Sequence, residues 1–155
     1  MIYLDTADQD ISHPGAPAEH LHWIAGDVAW SEVGGMHISE NVSDVPLRMV
    51  EVEIKQPAPA VAPKRARTLI FENPQVCVFR STRESGGREN WHEHAGAGRA
   101  VILLAPLSAR IESANGKLAS MNGDRGDAFW TDGYIRHRAS NLGAGPSDLI
   151  IGEGK

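Results

Sequence analysis

Apolar residues occur in short runs along the whole chain, and turn-forming residues separate these runs. Residues 47–54 (LRMVEVEI) alternate apolar and polar side chains, which is the period-two pattern of a strand buried on one face. Residues 100–105 are entirely apolar, and Ala114-Asn115-Gly116 joins two strand-like runs with a hairpin signal. No window sustains helical spacing, and 16 glycines and 9 prolines interrupt the chain. The pattern predicts an all-β sandwich or barrel.

One stretch of the chain occurs twice. Residues 126–155 align without a gap to residues 26–55, and eight of the thirty positions are identical, against about two expected by chance. An internal repeat of this length sets the architecture. The segment between the copies, residues 56–66, contains three prolines and predicts a semi-rigid linker. We therefore expect one domain at 67–155 and a shorter copy at 1–55.

Composition narrows the classes of function. The 155 residues are 41% hydrophobic and 23% charged, as in soluble globular proteins. A net charge of −5 and the lack of a large basic cluster argue against a nucleic-acid partner. No apolar run approaches the roughly 20 residues that span a membrane, and the N-terminus does not resemble a signal peptide. The single cysteine, Cys77, is expected to be buried and inert, and it favours a cytoplasmic location.

Three histidines are candidate metal ligands. His92 and His94 lie two positions apart on a predicted strand, so their side chains project from the same face, and His137 lies on a later strand. Neutral imidazole is a ligand of Zn, Fe, Cu and Ni. The alternative is a half-exposed histidine pair at a strand end. In the shorter copy, His37 has no such partners, so we predict a structural role for it, such as a hydrogen bond within the barrel.

The spacing of these residues resembles the two motifs of the cupin superfamily. The first motif is G-x5-H-x-H-x(3,4)-E-x6-G, and the second is G-x5-P-x-G-x2-H-x3-N. Five residues separate Gly86 from the stretch His92-Glu93-His94. The second motif's spacing is matched twice, by Gly126, His137 and Asn141 and by Gly26, Gly34, His37 and Asn41. The resemblance implies a jelly-roll cupin barrel at 67–155, preceded by half of a second barrel in a bicupin-like chain.

The resemblance also implies a divalent metal ion (Fe, Mn, Ni or Zn) held by His92, His94 and His137. The glutamate of the first motif has no match, because Gly98 and Arg99 stand near its place, and Asp132 and Tyr134 replace the proline and glycine of the second. Three neutral imidazoles leave the charge of a metal uncompensated, and an inward Arg99 would add repulsion. Three outcomes stay open: a three-histidine metal site, a site completed by an anionic ligand, or no tightly bound metal.

The function implied by this resemblance is a metal-dependent oxygenase or isomerase that acts on a small, anionic molecule. The alternative is a metal-free cupin that binds a small ligand as a sensor, carrier or assembly module, so enzymatic activity is left undecided. Four residues are candidates to line a ligand pocket: Trp91, Arg99, Trp130 and Asn141. For both tryptophans, packing in the core is the alternative. A half-barrel exposes strand edges, so we expect it to pair with the second domain or to form a homodimer.

Overall fold

A computed structural model describes residues 1–32, 34–55, 67–94, 98–131 and 136–154. These ranges contain β-strands and no helix, and hence no helix long and apolar enough to cross a membrane. The predicted linker at 56–66 lies outside the described residues, as do Asp132 and Tyr134. The strands are β1 (Ile2–Tyr3), β2 (Ala7–Ser12), β3 (Glu19–Trp23), β4 (Ile38–Asn41), β5 (Met49–Val50), β6 (Thr68–Glu72), β7 (Val76–Arg83), β8 (Arg99–Leu103), β9 (Leu107–Ser113), β10 (Leu118–Gly123), β11 (Ala128–Thr131), β12 (His137–Asn141) and β13 (Ser147–Gly154). The all-β prediction is confirmed.

The chain divides into two compact units, Met1–Val52 and Glu53–Lys155. The C-terminal unit contains a five-stranded antiparallel sheet in the order β11-β8-β13-β7-β6 and a three-stranded one in the order β10-β9-β12. Apolar side chains from both sheets pack into one core, which consists of Val101, Leu103, Leu107, Ala109 and Ile151. The two sheets therefore face each other across this core.

Strands β8 and β13 are buried on both faces. Leu103 and Ile151 belong to the core between the sheets, and Ile102 and Ile150, which point the other way, have no exposed surface. Burial on both faces removes the need for polar residues at alternate positions. This explains why residues 100–105 form a continuous apolar run rather than an alternating one.

The inner face of the five-stranded sheet changes from apolar to polar toward one end. Arg99 is paired across the sheet with Thr131 on one side and with Glu153 on the other. Side chains two positions apart share a face, so this row lies on the same face as Val101 and Ile151. The sheet thus places one arginine and one carboxylate at the edge of the apolar core.

The N-terminal unit contains a two-stranded sheet, β1-β5, and a three-stranded sheet in the order β3-β2-β4. Its interior is partly polar: Gln9 is buried and accepts a hydrogen bond of 2.8 Å from Trp23 Nε1, while Tyr3 stacks on the Trp23 ring at 3.9 Å. Among the residues that the structure describes, the strand predicted at 47–54 is paired at Met49–Val50 alone. The sequence analysis does not predict strand β2, because its sequence (ADQDIS) is mostly polar. In the structure, Ala7 and Gln9 of this strand point inward and are buried.

Backbone hydrogen bonds of the N-terminal unit have counterparts one hundred positions later. Gly26 N donates to Tyr3 O at 2.8 Å, and Gly126 N donates to Leu103 O at 2.8 Å. Both glycines have a positive φ, 97° and 94°, which explains why glycine stands at both positions. A further pair joins β4 to β2 and β12 to β9, through Val42 N–Asp8 O and Leu142 N–Ser108 O. These shared hydrogen bonds already involve Tyr3 and Asp8, whereas the sequence identities between the two copies start at residue 26.

Candidate metal centre

His92, His94 and His137 lie together in the C-terminal unit. One imidazole nitrogen from each of the three lies within 4.8 Å of the others. His92 and His137 exchange backbone hydrogen bonds of 3.0 and 2.9 Å, which brings the segment before β8 alongside β12. His94 and His137 are buried, and the His92 side chain is 20% exposed. The predicted convergence of two sequence-distant segments is thus present in the structure.

The hydrogen bonds at the Nδ1 atoms fix the orientation of two of these rings. His92 Nδ1 lies 3.0 Å from Asn90 O, and a carbonyl can only accept, so His92 carries its proton on Nδ1. His94 Nδ1 lies 2.7 Å from Glu153 Oε1, and a carboxylate likewise accepts that proton. Each ring therefore keeps a lone pair on Nε2. Metal-binding histidines are held in the same way, with the second nitrogen bonded to a carbonyl or carboxylate.

A positive group already lies against both lone pairs. Arg67 Nη2 is 3.3 Å from His92 Nε2 and 3.3 Å from His94 Nε2. Arg67 Nη1 donates a 2.8 Å hydrogen bond to Glu153 Oε1, and the Arg67 side chain is only 14% exposed. Because the guanidinium is cationic, it marks a position at which the lone pairs of two imidazoles face one positive charge. The histidine set therefore fits a divalent metal ion chemically.

Two carboxylates flank the histidines, although neither stands at the position of the motif-one glutamate. Burial alone would raise the pKa of Glu153, but the hydrogen bond from His94 and the charges of Arg67 and Arg99 lower it. Burial also opposes ionisation of Glu89, yet the charges of Arg83 and Arg67 and the hydrogen bond from Arg83 lower its pKa. Glu89 accepts a 2.5 Å hydrogen bond from Arg83 Nη2, and its other oxygen lies 3.5 Å from His92 Nδ1. Both carboxylates are therefore charged at neutral pH.

Electrostatics keep His94 in the form that binds metals. Burial lowers the pKa of His94 and outweighs the opposing hydrogen bond to Glu153, while the charges of Arg99 and Arg67 lower the pKa further. Neutral imidazole is the species that coordinates metals, so this environment favours ligation.

Arg99 lies close enough to the histidines for its charge to lower the pKa of His94, as expected for a side chain that points inward. Burial lowers the pKa of Arg99 to about 10, and the charge of Arg67 contributes in the same direction. Arg99 thus remains positively charged at neutral pH. The described residues around the histidines carry three positive charges, on Arg67, Arg83 and Arg99, and two negative ones, on Glu89 and Glu153.

The chain is similar to solved structures of cupin domains. A cupin domain from Bordetella pertussis Tohama I has a TM-score of 0.53 and 20% sequence identity, and the match covers 62% of this chain and 98% of that one. The chain has the cupin fold. An RmlC-like cupin from Shewanella frigidimarina NCIMB 400 matches with a TM-score of 0.43 and 15% identity, over 57% of this chain and 73% of its own. No protein-family model matches the sequence, and the comparison with curated proteins gives no match.

The structure separates two predicted pocket residues from the histidines. Trp91 packs against Arg138, whose Cζ lies 4.4 Å from the ring centroid, and Arg138 points away from the face of β12 that carries His137. Trp130 is 61% exposed and alternates with Thr131, so it lies on the face of β11 opposite Arg99. The indole packs on the backbone of Gly98, where an added Cβ would lie 2.7 Å from the ring. Period-two alternation therefore places both tryptophans away from the inner face.

Asn141, the remaining predicted pocket residue, is used to hold backbone. Its Nδ2 donates to Arg83 O (3.1 Å), Glu84 O (3.3 Å) and Gly145 O (2.9 Å), and its Oδ1 accepts from Gly143 N (2.9 Å). These bonds engage both ends of the amide, and the side chain is 2% exposed. We therefore correct its assignment from pocket residue to structural anchor.

The other histidines and Glu93 lie on the surface. The side chains of His20 and His22 are 65% and 59% exposed. His37 is also exposed and lies 5.8 Å from the His13 ring, so the predicted hydrogen bond inside a barrel is wrong. Glu93 is half exposed and lies 3.9 Å from Arg136, as expected for a residue that alternates with His92 and His94.

Sequence reasoning missed two residues of the centre, Arg67 and Glu153. Arg67 directly follows the predicted linker at 56–66, and its partner Glu153 is 86 positions away. A signal for Glu153 was present, because it follows Leu149 and Ile151 at period two and so continues their inward face. No comparable pattern identified Arg67.

Proposed function

We propose that this cupin binds a divalent metal ion through His92, His94 and His137 and acts on a small anionic molecule beside it. The observation that carries the proposal is that Nε2 of His92 and Nε2 of His94 both lie 3.3 Å from one cationic nitrogen, Arg67 Nη2. We also infer that the two facing sheets close into a jelly-roll barrel around this centre, as the shared apolar core suggests.

A bound Fe, Mn, Ni or Zn ion would supply Lewis acidity or oxygen activation for an oxygenase or isomerase. The chain's own residues prepare the centre for this. Asn90 O and the Glu153 carboxylate hold the protons of two rings on Nδ1, so that both Nε2 lone pairs stay available. Arg99 offers a positive charge to an anionic substrate on the inner face. The apolar core below, including Val101 and Ile151, excludes water from that side.

A second candidate is a cupin that works without metal, and the position of Arg67 favours it. The guanidinium makes hydrogen bonds to both imidazoles and to Glu153, so the cluster is already supplied with a cation. In this case Arg67 and Arg99 would bind a small anion, and the protein would serve as a sensor, carrier or assembly module. The two candidates share an anionic ligand and differ in the metal.

The metal content of protein purified without a histidine tag tests the proposal. We expect about one transition-metal ion per chain, measured by elemental analysis, and a loss of this ion in His92→Ala, His94→Ala and His137→Ala. His20→Ala is the matched control, because its side chain is 65% exposed on the N-terminal unit. Sub-stoichiometric metal that these substitutions do not change would exclude the metal-dependent function and leave the metal-free one.

We further propose that the protein is a cytoplasmic homodimer. The single cysteine supports the reducing compartment. Large apolar side chains exposed on the N-terminal unit support the second copy, among them Met36 (75% exposed) and Ile38 (71% exposed).

A further inference from the structure

We propose that Arg67 determines which ligand the histidine cluster accepts: with its guanidinium in place the cluster excludes a divalent metal, and with the guanidinium withdrawn it binds one. This inference rests on the metal-binding function proposed above. It concerns a residue that belongs to neither cupin motif and that precedes the first strand of the C-terminal unit.

The competition follows from the number of lone pairs. A neutral imidazole with its proton on Nδ1 has a single lone pair on Nε2, which can accept an N–H or bind a metal but cannot do both. Arg67 Nη2 lies 3.3 Å from the Nε2 atoms of both His92 and His94. Its two hydrogens can serve both acceptors at once. Metal ligation by these rings therefore requires Arg67 Nη2 to leave.

Charge acts in the same direction. Three arginines, Arg67, Arg83 and Arg99, already outnumber the carboxylates of Glu89 and Glu153, so the group is positive without a metal, and a divalent ion would add two further uncompensated positive charges. Removal of the Arg67 charge would offset one of them. It would also release Glu153 Oε1, which Arg67 Nη1 now contacts at 2.8 Å, to act on His94 alone. A carboxylate bonded to a ligating histidine makes that ring a stronger donor.

Burial and hydrogen bonds fix the position of the Arg67 side chain. Its side chain is 14% exposed, and three hydrogen bonds fix the guanidinium: one to Glu153 and one to each imidazole. A planar guanidinium presents its N–H groups in a fixed fork, which a lysine ammonium does not reproduce. Arginine is thus the side chain that can satisfy two imidazoles and one carboxylate together.

The test is a titration of untagged, metal-free protein with Zn²⁺ by calorimetry, for the wild type and for Arg67→Ala. We expect Arg67→Ala to bind Zn²⁺ at least about tenfold more tightly, because the lone pairs are freed and one positive charge is lost. The matched control is Arg110→Ala, which removes an exposed arginine on β9 and should leave affinity unchanged. In the double variant Arg67→Ala/His94→Ala, the gain should disappear.

Equal, histidine-dependent affinities of the wild type and Arg67→Ala would overturn the role of Arg67 and leave the metal site intact. Absence of histidine-dependent binding in both folded proteins would instead overturn the proposed function, and with it this inference. Circular dichroism and thermal denaturation establish folding. If Arg67→Ala does not fold, Arg67→Met replaces it, because methionine keeps much of the side-chain volume without the charge or the N–H donors; a several-fold gain in affinity is then expected, and an unchanged affinity overturns the proposal.

Discussion

Glu153 Oε1 lies 2.7 Å from His94 Nδ1 and accepts the proton of that ring, which turns the Nε2 lone pair of His94 toward the other histidines. The cupin motifs place no carboxylate at this position. The C-terminal strand β13 supplies it, at the end of the inward-facing series Leu149, Ile151 and Glu153. The centre therefore combines three histidines with an outer carboxylate that aligns one of them.

Replacement of Glu153 by glutamine should weaken metal binding. The amide oxygen can still accept the His94 proton, but it carries no charge, so the ring becomes a poorer donor. We expect Zn²⁺ affinity to fall about 10- to 100-fold, as for other outer partners of ligating histidines. Calorimetric titration measures this. Glu93→Gln is the control, since its half-exposed carboxylate makes the same change of charge outside the centre; an equal loss in both variants would contradict a specific role.

Removal of the Arg99 charge should strengthen metal binding. Burial, together with the charge of Arg67, lowers the pKa of Arg99 to about 10. This value is still well above neutral pH, so Arg99 stays positively charged and repels a cation. We expect Arg99→Gln to bind Zn²⁺ at least about threefold more tightly than the wild type. Arg110→Gln, on an exposed position of β9, should not differ from the wild type. An unchanged or weaker affinity of Arg99→Gln would show that Arg99 does not act on the metal position.

The three histidines and Arg99 could be predicted because their signals are local. His92 and His94 alternate with Glu93, and His137 follows Gly126 at a fixed spacing. Arg99 could be predicted because it stands near the position at which the first cupin motif has a glutamate. The strands themselves followed from apolar runs between turns, and the Asn115-Gly116 turn has the left-handed glycine that such a turn requires, with φ of 83°.

Other residues could not be placed, or were placed wrongly, because their roles depend on tertiary contacts. The contact between Arg67 and Glu153 joins positions 86 apart, and no periodicity connects them. Trp91 and Trp130 are predicted to line the pocket, with packing in the core as the alternative. The alternation of strand side chains sends both of them to the opposite face. Strand β2 was missed because its inward positions are Ala7 and Gln9 rather than large apolar residues.

The N-terminal unit should associate with a second copy. All four residues of β4 are exposed, and among residues 1–32 and 34–52 no strand pairs with its free edge. A free antiparallel edge can pair with the same edge of another copy across a two-fold axis. We expect a dimer by light scattering coupled to size exclusion. The double variant Met36→Ser/Ile38→Ser should be monomeric.

Leu118→Ser is the control for this dimer, because Leu118 is 60% exposed on the C-terminal unit and should not affect association. A monomeric wild type would contradict the prediction. Dissociation of the Leu118→Ser variant would move the interface away from β4.

Acid should remove one stabilising contact of β12. A hydrogen bond from Arg138 is the largest cause that lowers the pKa of Glu112 below its ordinary value of 4.5, and burial opposes this shift. The folded-state pKa is therefore below the unfolded one, so the contribution to stability is complete above about pH 4.5 and is lost as the pH falls through the folded value.

The pH dependence of urea denaturation measures this contribution. Glu112→Gln should be less stable than the wild type at neutral pH, and the difference should shrink below about pH 4.5. Glu84→Gln, at an exposed position, is the control and should show no such change with pH. A difference between Glu112→Gln and the wild type that is the same at all pH values would rule out ionisation of Glu112 as its source.

Asn141 and Asn41 make the same turn contacts but differ in burial, which allows their contributions to be separated. Asn141 Nδ2 donates to Gly145 O at 2.9 Å, and Asn41 Nδ2 donates to Val45 O at 2.8 Å; each Oδ1 accepts from the backbone two residues later. Asn141 alone, 2% exposed, also donates to Arg83 O and Glu84 O. Buried acceptors that lose their donors cost more than exposed ones, which water can satisfy.

We therefore expect Asn141→Ala to lower the free energy of unfolding by about 2–4 kcal/mol and Asn41→Ala by about 1 kcal/mol. Urea denaturation of the two variants and the wild type measures both values. Equal losses would mean that the shared turn contacts account for the whole effect and that the bonds to Arg83 O and Glu84 O add nothing. A larger loss for Asn141→Ala, with unchanged metal affinity, would establish that this asparagine supports the fold rather than the ligand.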